Sequence, residues 1–372
     1  MNYQQLMDRF VQVAENPAKQ MQSYLEQGKK VVLTAPVYTP EEIIHAMGAV
    51  PVGAWGADVA LERAKEYFPA FICSIMQSIL EMGIAGTYKG ASAIVIPSLC
   101  DSLKCLGQNW KYAVKDIPFI PMTYPQNRAN ENGIQFAIAG YKRVIRDLES
   151  ALDTEFDPKA LAQSNAVYNR HNAAMREIDA LLADHPEVSA RQRSAIYKSA
   201  GFMAKEEHTE LVENLIEVLK EQESGKEKIR IVTSGILCDS PALLDCFDEL
   251  GFQIVADDVA AESRQYRTDV PEGEDPLRAL AEKFSRMDHC SVLYDVEKKR
   301  ADLIVKLAQD RKAHGVLIVM TKFCDPEEFD FVPIRKTCRA AGVSISQIEI
   351  DRQMADFAQV RTLLETLRDT IA

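Results

Sequence analysis

Residues 229–256 read IRIVTSGILCDSPALLDCFDELGFQIVA. The run IRIVT (229–233) is short, apolar and β-branched, the signature of a buried strand. PALLDCFDEL (241–250) has the apolar spacing of an amphipathic helix, and Gly251 closes it as a C-cap before a second apolar run, Phe252–Ala256. Strands joined through a helix pair in parallel, because a parallel partner needs a crossover rather than a tight turn. Parallel sheets carry helices on both faces, so their strands are apolar almost throughout.

The same alternation extends outward in both directions. VLIVM (316–320) is the clearest buried strand in the chain, and SISQIEI (344–350) the next. Toward the N-terminus, KKVVLT (29–34), PVGAW (51–55) and AIVI (93–96) read as strands, separated by the helical patterns EEIIHAMGA and IMQSILEM. From 134 to 222 glycine is sparse and Glu, Lys, Ala and Leu recur at helical spacing, as in YKRVIRDLESAL and HTELVENLIEVLKEQ. The polar EQESGKE (221–227) reads as a linker. The expected architecture is α/β, with two doubly wound, Rossmann- or flavodoxin-like parallel-sheet domains and a helical region between them. Its boundaries fall at 1–133 (with a leading helix), 134–225 and 226–372. Strand order is not readable.

Composition narrows the function. The formal charge of −12 argues against general nucleic-acid binding, which needs basic surface to displace counterions. No apolar run approaches bilayer length, and the N-terminal MNYQQLMDRFVQVAEN lacks the layout of a secretory signal. Eight cysteines without such a signal point to the cytoplasm, where clustered thiols serve metal or redox chemistry more often than disulfides. The six histidines are scattered, with no HExxH, and there is no GxGxxG, GxSxG or P-loop. Any dependence on ATP would need a partner.

Three cysteines share a local setting. Cys100 follows AIVIPSL, Cys238 follows IRIVTSGIL and Cys324 follows VLIVMTKF, and each is succeeded by an aspartate suited to helix capping. Ligands of open α/β sheets bind beyond the carboxyl ends of strands, and helix N-termini there favour thiolate. Soft sulfur ligands select iron–sulfur clusters, zinc or copper(I). The spacing matches no ferredoxin or zinc ribbon, so position alone leaves a metal centre and simple core packing both open. Cys246, Cys290 and Cys338 read as packing. Cys105, five residues after Cys100 and so facing another way on a helix, is a reserve candidate. Asp101 and Asp325 read as helix caps, the acidic DPEEFD (325–330) as a solvated helix start, and Lys104 and Lys322 as surface residues. Trp55, Trp110, Tyr38, Tyr67 and Phe68 read as core or interface aromatics.

Longer phrases carry a family resemblance. YTPEEIIHAMGAVPVGAWG (38–56), FPAFICSIMQSILEMG (68–83), IPSLCDSLKCLGQNWK (96–111), ADDVAAESRQYRTDVP (256–271) and MTKFCDPEEFDFVPIRK (320–336) span most of the chain. It resembles the small (beta) subunit of the (R)-2-hydroxyacyl-CoA dehydratases of anaerobic amino-acid fermenters. The resemblance implies one oxygen-sensitive [4Fe-4S] cluster on Cys73, Cys100 and Cys324, with a non-protein fourth ligand. That set takes Cys73 where the positional argument takes Cys238. It further implies a larger alpha subunit at whose cluster acyl-CoA is bound, and a separate ATP-hydrolysing [4Fe-4S] activator protein. The beta cluster then serves as electron relay or reservoir for a dehydration through a ketyl radical, a step beyond the ~10²–10⁴-fold that acid–base catalysis contributes. The phrases are closer to subunits acting on branched or aromatic acyl groups (2-hydroxyisocaproyl, phenyllactyl) than on 2-hydroxyglutaryl-CoA. Two alternatives stand beside this: a homodimeric reductase of the same superfamily with a bridged double cluster, and a non-enzymatic two-domain binding module.

Overall fold

The computed structural model describes residues 1–371. Two helices lead, α1 (Tyr3–Glu15) and α2 (Pro17–Glu26). Asn2 and Gln5 form a capping box on α1, and Pro17 opens α2 at a position where its missing N–H costs nothing. The first sheet then follows as β1 (Val31–Thr34), α3 (Glu41–Ala46), β2 (Val50–Gly53), α4 (Ser74–Ile84), β3 (Ala93–Pro97), α5 (Asp101–Ala113) and β4 (Phe119–Met122). Four long helices come next, α6 (Glu131–Leu152), α7 (Pro158–Leu182), α8 (Ala190–Ala200) and α9 (Lys205–Lys220). The second sheet runs β5 (Ile229–Gly235), α10 (Pro241–Glu249), β6 (Phe252–Val259), α11 (Pro276–Arg286), α12 (Arg300–Asp310), β7 (Gly315–Thr321), α13 (Asp325–Ala340), β8 (Ile345–Ile350) and α14 (Ala358–Ile371).

Both sheets are four-stranded and wholly parallel, in the orders β2-β1-β3-β4 and β6-β5-β7-β8. The two orders are the same. In each, the chain winds to one side of its first strand and then crosses to the other, leaving a switch point between β1 and β3 and between β5 and β7. The doubly wound α/β class expected from the alternating pattern is therefore present twice. All residues of β1, β2, β3, β6 and β7 are buried, as strands covered on both faces must be.

The first-sheet strand placed at 51–55 starts one residue earlier, at Val50, and ends two residues earlier, at Gly53, whose N–H leaves the ladder to bond the Gly201 carbonyl at 2.7 Å. Strand β4 was not read from the sequence, because PFIPM carries two prolines. Its place at the edge of the sheet explains the tolerance, since Pro121 there has no ladder bond to forfeit on its open side.

Helix α6 lies over the first sheet, with Tyr141, Val144 and Leu148 packed among Val32, Val95 and Ile120. Helices α7, α8 and α9 form their own core with α1, whose Leu6, Met7 and Phe10 join Ile178, Ile196, Leu215 and Leu219. The apolar cluster beneath the first sheet also takes in Ile236, Leu237, Ala260 and Cys324 from the second, so the carboxyl ends of the two sheets meet. Among the described residues no helix is long and apolar enough to cross a membrane.

Candidate metal centre

Three thiols stand at three helix starts. Cys73 is the N-cap of α4, Cys100 of α5 and Cys324 of α13, and none uses its side chain to cap in the usual oxygen-accepting way. The first turn of a helix offers N–H groups with no partner within the helix and the positive end of its dipole. Here those amides turn on sulfur: Ile75 and Met76 on Cys73, Leu103 and Ser102 on Cys100, and Glu327 on Cys324. Cys100 and Cys324 occupy equivalent places, each just beyond the strand that flanks its sheet's switch point, β3 and β7. Cys73 comes from the crossover between β2 and β3.

The three converge. Burial pushes the Cys73 thiol up, and burial followed by the Cys73 thiol pushes Cys100 up to about 12. Cys324 is held well above the usual thiol range by burial first and then by Cys73, with Glu327 and Cys100 adding to it. The Cys73 sulfur therefore opposes ionisation of Cys100 and Cys324, and Cys100 that of Cys324. Such a site stays protonated until a cationic group arrives, and binding of that group releases protons. Arg352 is a cation that pulls the Cys73 thiol down; its backbone N–H donates to Ser74 Oγ at 3.1 Å and its guanidinium pairs with Asp239 and Asp58 at 2.9 and 3.3 Å.

The remaining cysteines lie elsewhere. Cys238 is buried in the second-sheet core with Leu243, Leu244 and Phe247. The charges that act on it belong to Glu262, Arg193, Asp239 and Asp257 rather than to other cysteines. Strand-end position alone had joined it to Cys100 and Cys324; the helix after β5 starts later, with Ser240 as its N-cap, which leaves Cys238 in the loop. Cys105 is exposed on α5, Cys246 and Cys338 are buried in cores, and Cys290 is buried against Arg264, whose Nη1 lies 3.5 Å from its sulfur.

Two readings of the neighbouring acids need correction. Asp101 and Asp325 are the first residues inside α5 and α13, not their caps, because the cysteines take the cap positions; Asp101 pairs instead with Lys104 at 2.9 Å. The acidic start of α13 is only partly solvated. Glu327 and Asp330 are buried in an ion lattice with Asp258, Arg264, Arg300 and Lys298, and Arg267 joins it from the rim. Asp258, at the end of β6, accepts from Arg264, Arg267 and Arg300 and is held far below the usual carboxylate range despite burial. The phrase ADDVAAESRQYR, with opposite charges crowded after an apolar strand, was the visible signal for this lattice.

Chemistry of the donor set tests what it fits. Among the described residues no group of three or more His, Cys, Asp or Glu side chains is close enough to chelate a single ion. Three thiols near enough to influence one another's ionisation without chelating a single ion suit a cluster, in which each cysteine ligates a different iron. Backbone N–H groups aimed at the sulfurs are also what lowers the cost of holding anionic cluster charge.

Two parallel sheets of the same strand order, with three cysteines at the N-cap positions of α4, α5 and α13, define a two-sheet α/β protein. The family model described as 2-hydroxyglutaryl-CoA dehydratase, D-component, matches residues 36–371, and the chain belongs to that family. It is 42% identical to the (R)-phenyllactyl-CoA dehydratase beta subunit of Clostridium sporogenes, over 100% of both chains. It is 39% identical to lactoyl-CoA dehydratase subunit beta of Anaerotignum propionicum, over 97% of each. With (R)-2-hydroxyglutaryl-CoA dehydratase subunit beta of Acidaminococcus fermentans it shares 37%, over 98% of this chain and 99% of the other.

Sequence reasoning also missed a buried histidine pair. His171 on α7 and His208 on α9 are 37 positions apart and meet with His171 Nε2 3.0 Å from His208 Nδ1. No local spacing could have joined them.

Proposed function

We propose that the chain is the beta subunit of an (R)-2-hydroxyacyl-CoA dehydratase, a hydro-lyase, and that Cys73, Cys100 and Cys324 hold one [4Fe-4S] cluster. The observation that carries this reading is the convergence of three N-cap thiols from three crossovers on one buried locus. When bound, the cluster supplies reversible one-electron chemistry, which a dehydration at an unactivated carbon needs and side chains alone cannot provide. Three thiols leave one iron to a non-protein ligand, in the way catalytic metal sites keep a position open.

The chain's own residues then do the following. The first-turn amides of α4, α5 and α13 stabilise the sulfur charge, Arg352 adds a cation beside Cys73, and the apolar cluster of Leu103, Ile72, Leu237 and Ala260 keeps bulk water away. Flanking the thiols, Phe71, Phe323, Phe329 and Val332 are exposed. Exposed large apolar side chains so near the thiols along the chain are suited to a partner's cover. We assign that face to the larger alpha subunit, which takes most contacts with acyl-CoA, with an ATP-hydrolysing [4Fe-4S] activator supplying the electron. A cytoplasmic setting, reducing and without disulfides, fits eight free thiols. Branched or aromatic 2-hydroxyacyl-CoA is the favoured substrate class.

The test is iron content in single variants of anaerobically purified protein. Cys73→Ser, Cys100→Ser and Cys324→Ser should each lose most of their iron, while Cys238→Ser keeps it. Full iron in all three would reject the ligand set.

A further inference from the structure

Arg352 stands two positions beyond the end of β8, at the carboxyl edge of the second sheet, and is buried. From there it reaches across to the first sheet. Its backbone N–H donates at 3.1 Å to Oγ of Ser74, the first residue of α4 and the chain neighbour of Cys73. Its Nη2 donates to the Trp55 carbonyl, just past β2, at 3.4 Å, and its Nη1 to Asp58 at 3.3 Å. On its own side it grips Asp239 with both ends of the fork, Nη1 at 2.9 Å and Nη2 at 3.2 Å. Cys73 comes from a crossover of the first sheet and Cys324 from one of the second, so a residue bonded to both sides helps to set how those thiols face each other.

The charges around Arg352 leave an excess of positive charge in the interior. Asp239 is shared, because Lys198 also pairs with it at 3.1 Å. Burial pushes the Asp239 carboxyl up, but Arg352 and then Lys198 hold it below the usual carboxylate range. Asp58, the second acid, is 48% exposed, so water screens much of its charge. Two cations thus face one buried anion and one solvated anion, and of the two cations Arg352 is the more buried. A guanidinium does not shed its proton to relieve burial, so the charge is permanent.

We propose that Arg352 is a positioning residue for the three-thiol site, clasping the two sheets beside Cys73 and raising the one-electron reduction potential of the group that the thiols hold. The inference rests on the reading of Cys73, Cys100 and Cys324 as ligands of a [4Fe-4S] cluster. Reduction adds one negative charge there, and a fixed cation nearby favours the reduced form. A unit charge felt across about 10 Å of protein, at an effective dielectric of about 20, is worth about tenfold in an equilibrium. For a one-electron couple, tenfold is about 59 mV.

The test is a mediated redox titration of anaerobically purified, full-length protein, followed by the paramagnetic signal of the reduced state, with iron counted in every sample. Arg352→Gln keeps hydrogen-bond donors and loses the charge, so its affinity for the electron should fall about tenfold, or about 59 mV. Arg352→Lys restores the charge without the two-ended grip and should recover most of that loss. Asp58→Asn frees the cation from one of its acids and should raise the potential. A purely structural role would not give shifts of opposite sign. An iron-loaded Arg352→Gln with an unmoved potential, or Arg352→Lys with a potential no higher than Arg352→Gln, overturns the proposal and leaves the ligand assignment standing. If Arg352→Gln assembles no cluster, Asp58→Asn decides alone: a raised potential supports the proposal, and an unmoved or lowered one overturns it. Unmodified protein without iron defeats the ligand assignment itself, and this proposal with it.

Discussion

Arg300 holds Glu327 at 2.7 Å with both side chains buried, and Glu327 is the residue whose backbone N–H turns back on the Cys324 carbonyl at 3.0 Å. The guanidinium that opens α12 thus fixes the first turn of α13 and, with it, the cap position of Cys324. The same Arg300 reaches Asp258 at 2.7 Å and Asp330 at 3.1 Å, tying both helices to the end of β6.

Removing that guanidinium leaves three buried carboxylates short of a partner. Arg300→Met should lower unfolding stability by about 3–5 kcal/mol, the cost of breaking a buried pair from one side. Arg300→Lys should recover only part of it, because an ammonium cannot fork across several acids. Denaturant titration of the three proteins measures both effects.

Buried histidines make stability depend on pH. His208 is pushed down to about 3 and His171 well below its ordinary value, both chiefly by burial. Their unfolded forms take up protons below about pH 6.5 while the native forms do not, so their contribution is intact above that pH and is lost as pH falls. Glu262 works in the opposite sense. Burial, with Asp257 adding to it, raises Glu262 to about 8 even beside Arg193, which also serves Asp179 and Asp257. Its contribution is present below the ordinary carboxylate range and fades as pH rises toward 8. Between about pH 5 and 6 the two effects offset in part, and Asp179, also raised by burial first, adds to the offset. Glu262→Gln should therefore steepen the acid-side loss of stability by about 1.4 kcal/mol per pH unit, as read from denaturation midpoints across that range.

Gly235 ends β5 directly opposite Val319 on β7. A Cβ built there would lie 2.3 Å from the Val319 carbonyl oxygen, a backbone atom that cannot swing away. Gly235→Ala should cost about 1–3 kcal/mol or more through forced separation of the two central strands. Thermal unfolding against the unmodified protein decides it.

The exposed apolar face next to α13 should matter to assembly and not to folding. Phe329 is 76% exposed, so Phe329→Ser should shift stability by no more than about 0.5 kcal/mol and leave iron content unchanged. Affinity for the larger subunit should fall at least about tenfold if this aromatic anchors the interface. Co-purification at graded concentrations measures the second effect.

Much of the fold was legible because parallel strands, buried on both faces, write themselves as unbroken apolar runs such as VLIVM. What could not be read is instructive. Strand β4 hides behind Pro118 and Pro121, and the sheet orders depend on crossovers that leave no local mark. At the site, proximity to a strand end found Cys100 and Cys324 but equally offered Cys238, because the two situations differ only in where the following helix begins. Cys73 follows no strand directly and was reached only through the family resemblance. Glu327, read as solvated, is buried by Arg264 and Arg300, which approach from 63 and 27 positions away. Long-range charge pairing of this kind has no periodicity to betray it, and neither does the meeting of His171 with His208.

The central claim is most directly tested by counting iron and acid-labile sulfide on anaerobically purified, full-length protein, with a paramagnetic resonance spectrum after one-electron reduction. One cluster on three thiols predicts about four irons and four sulfides per chain and a reduced-state signal that air abolishes. Protein without iron and sulfide would contradict the account, and about eight irons per chain would replace it with a double-cluster reductase.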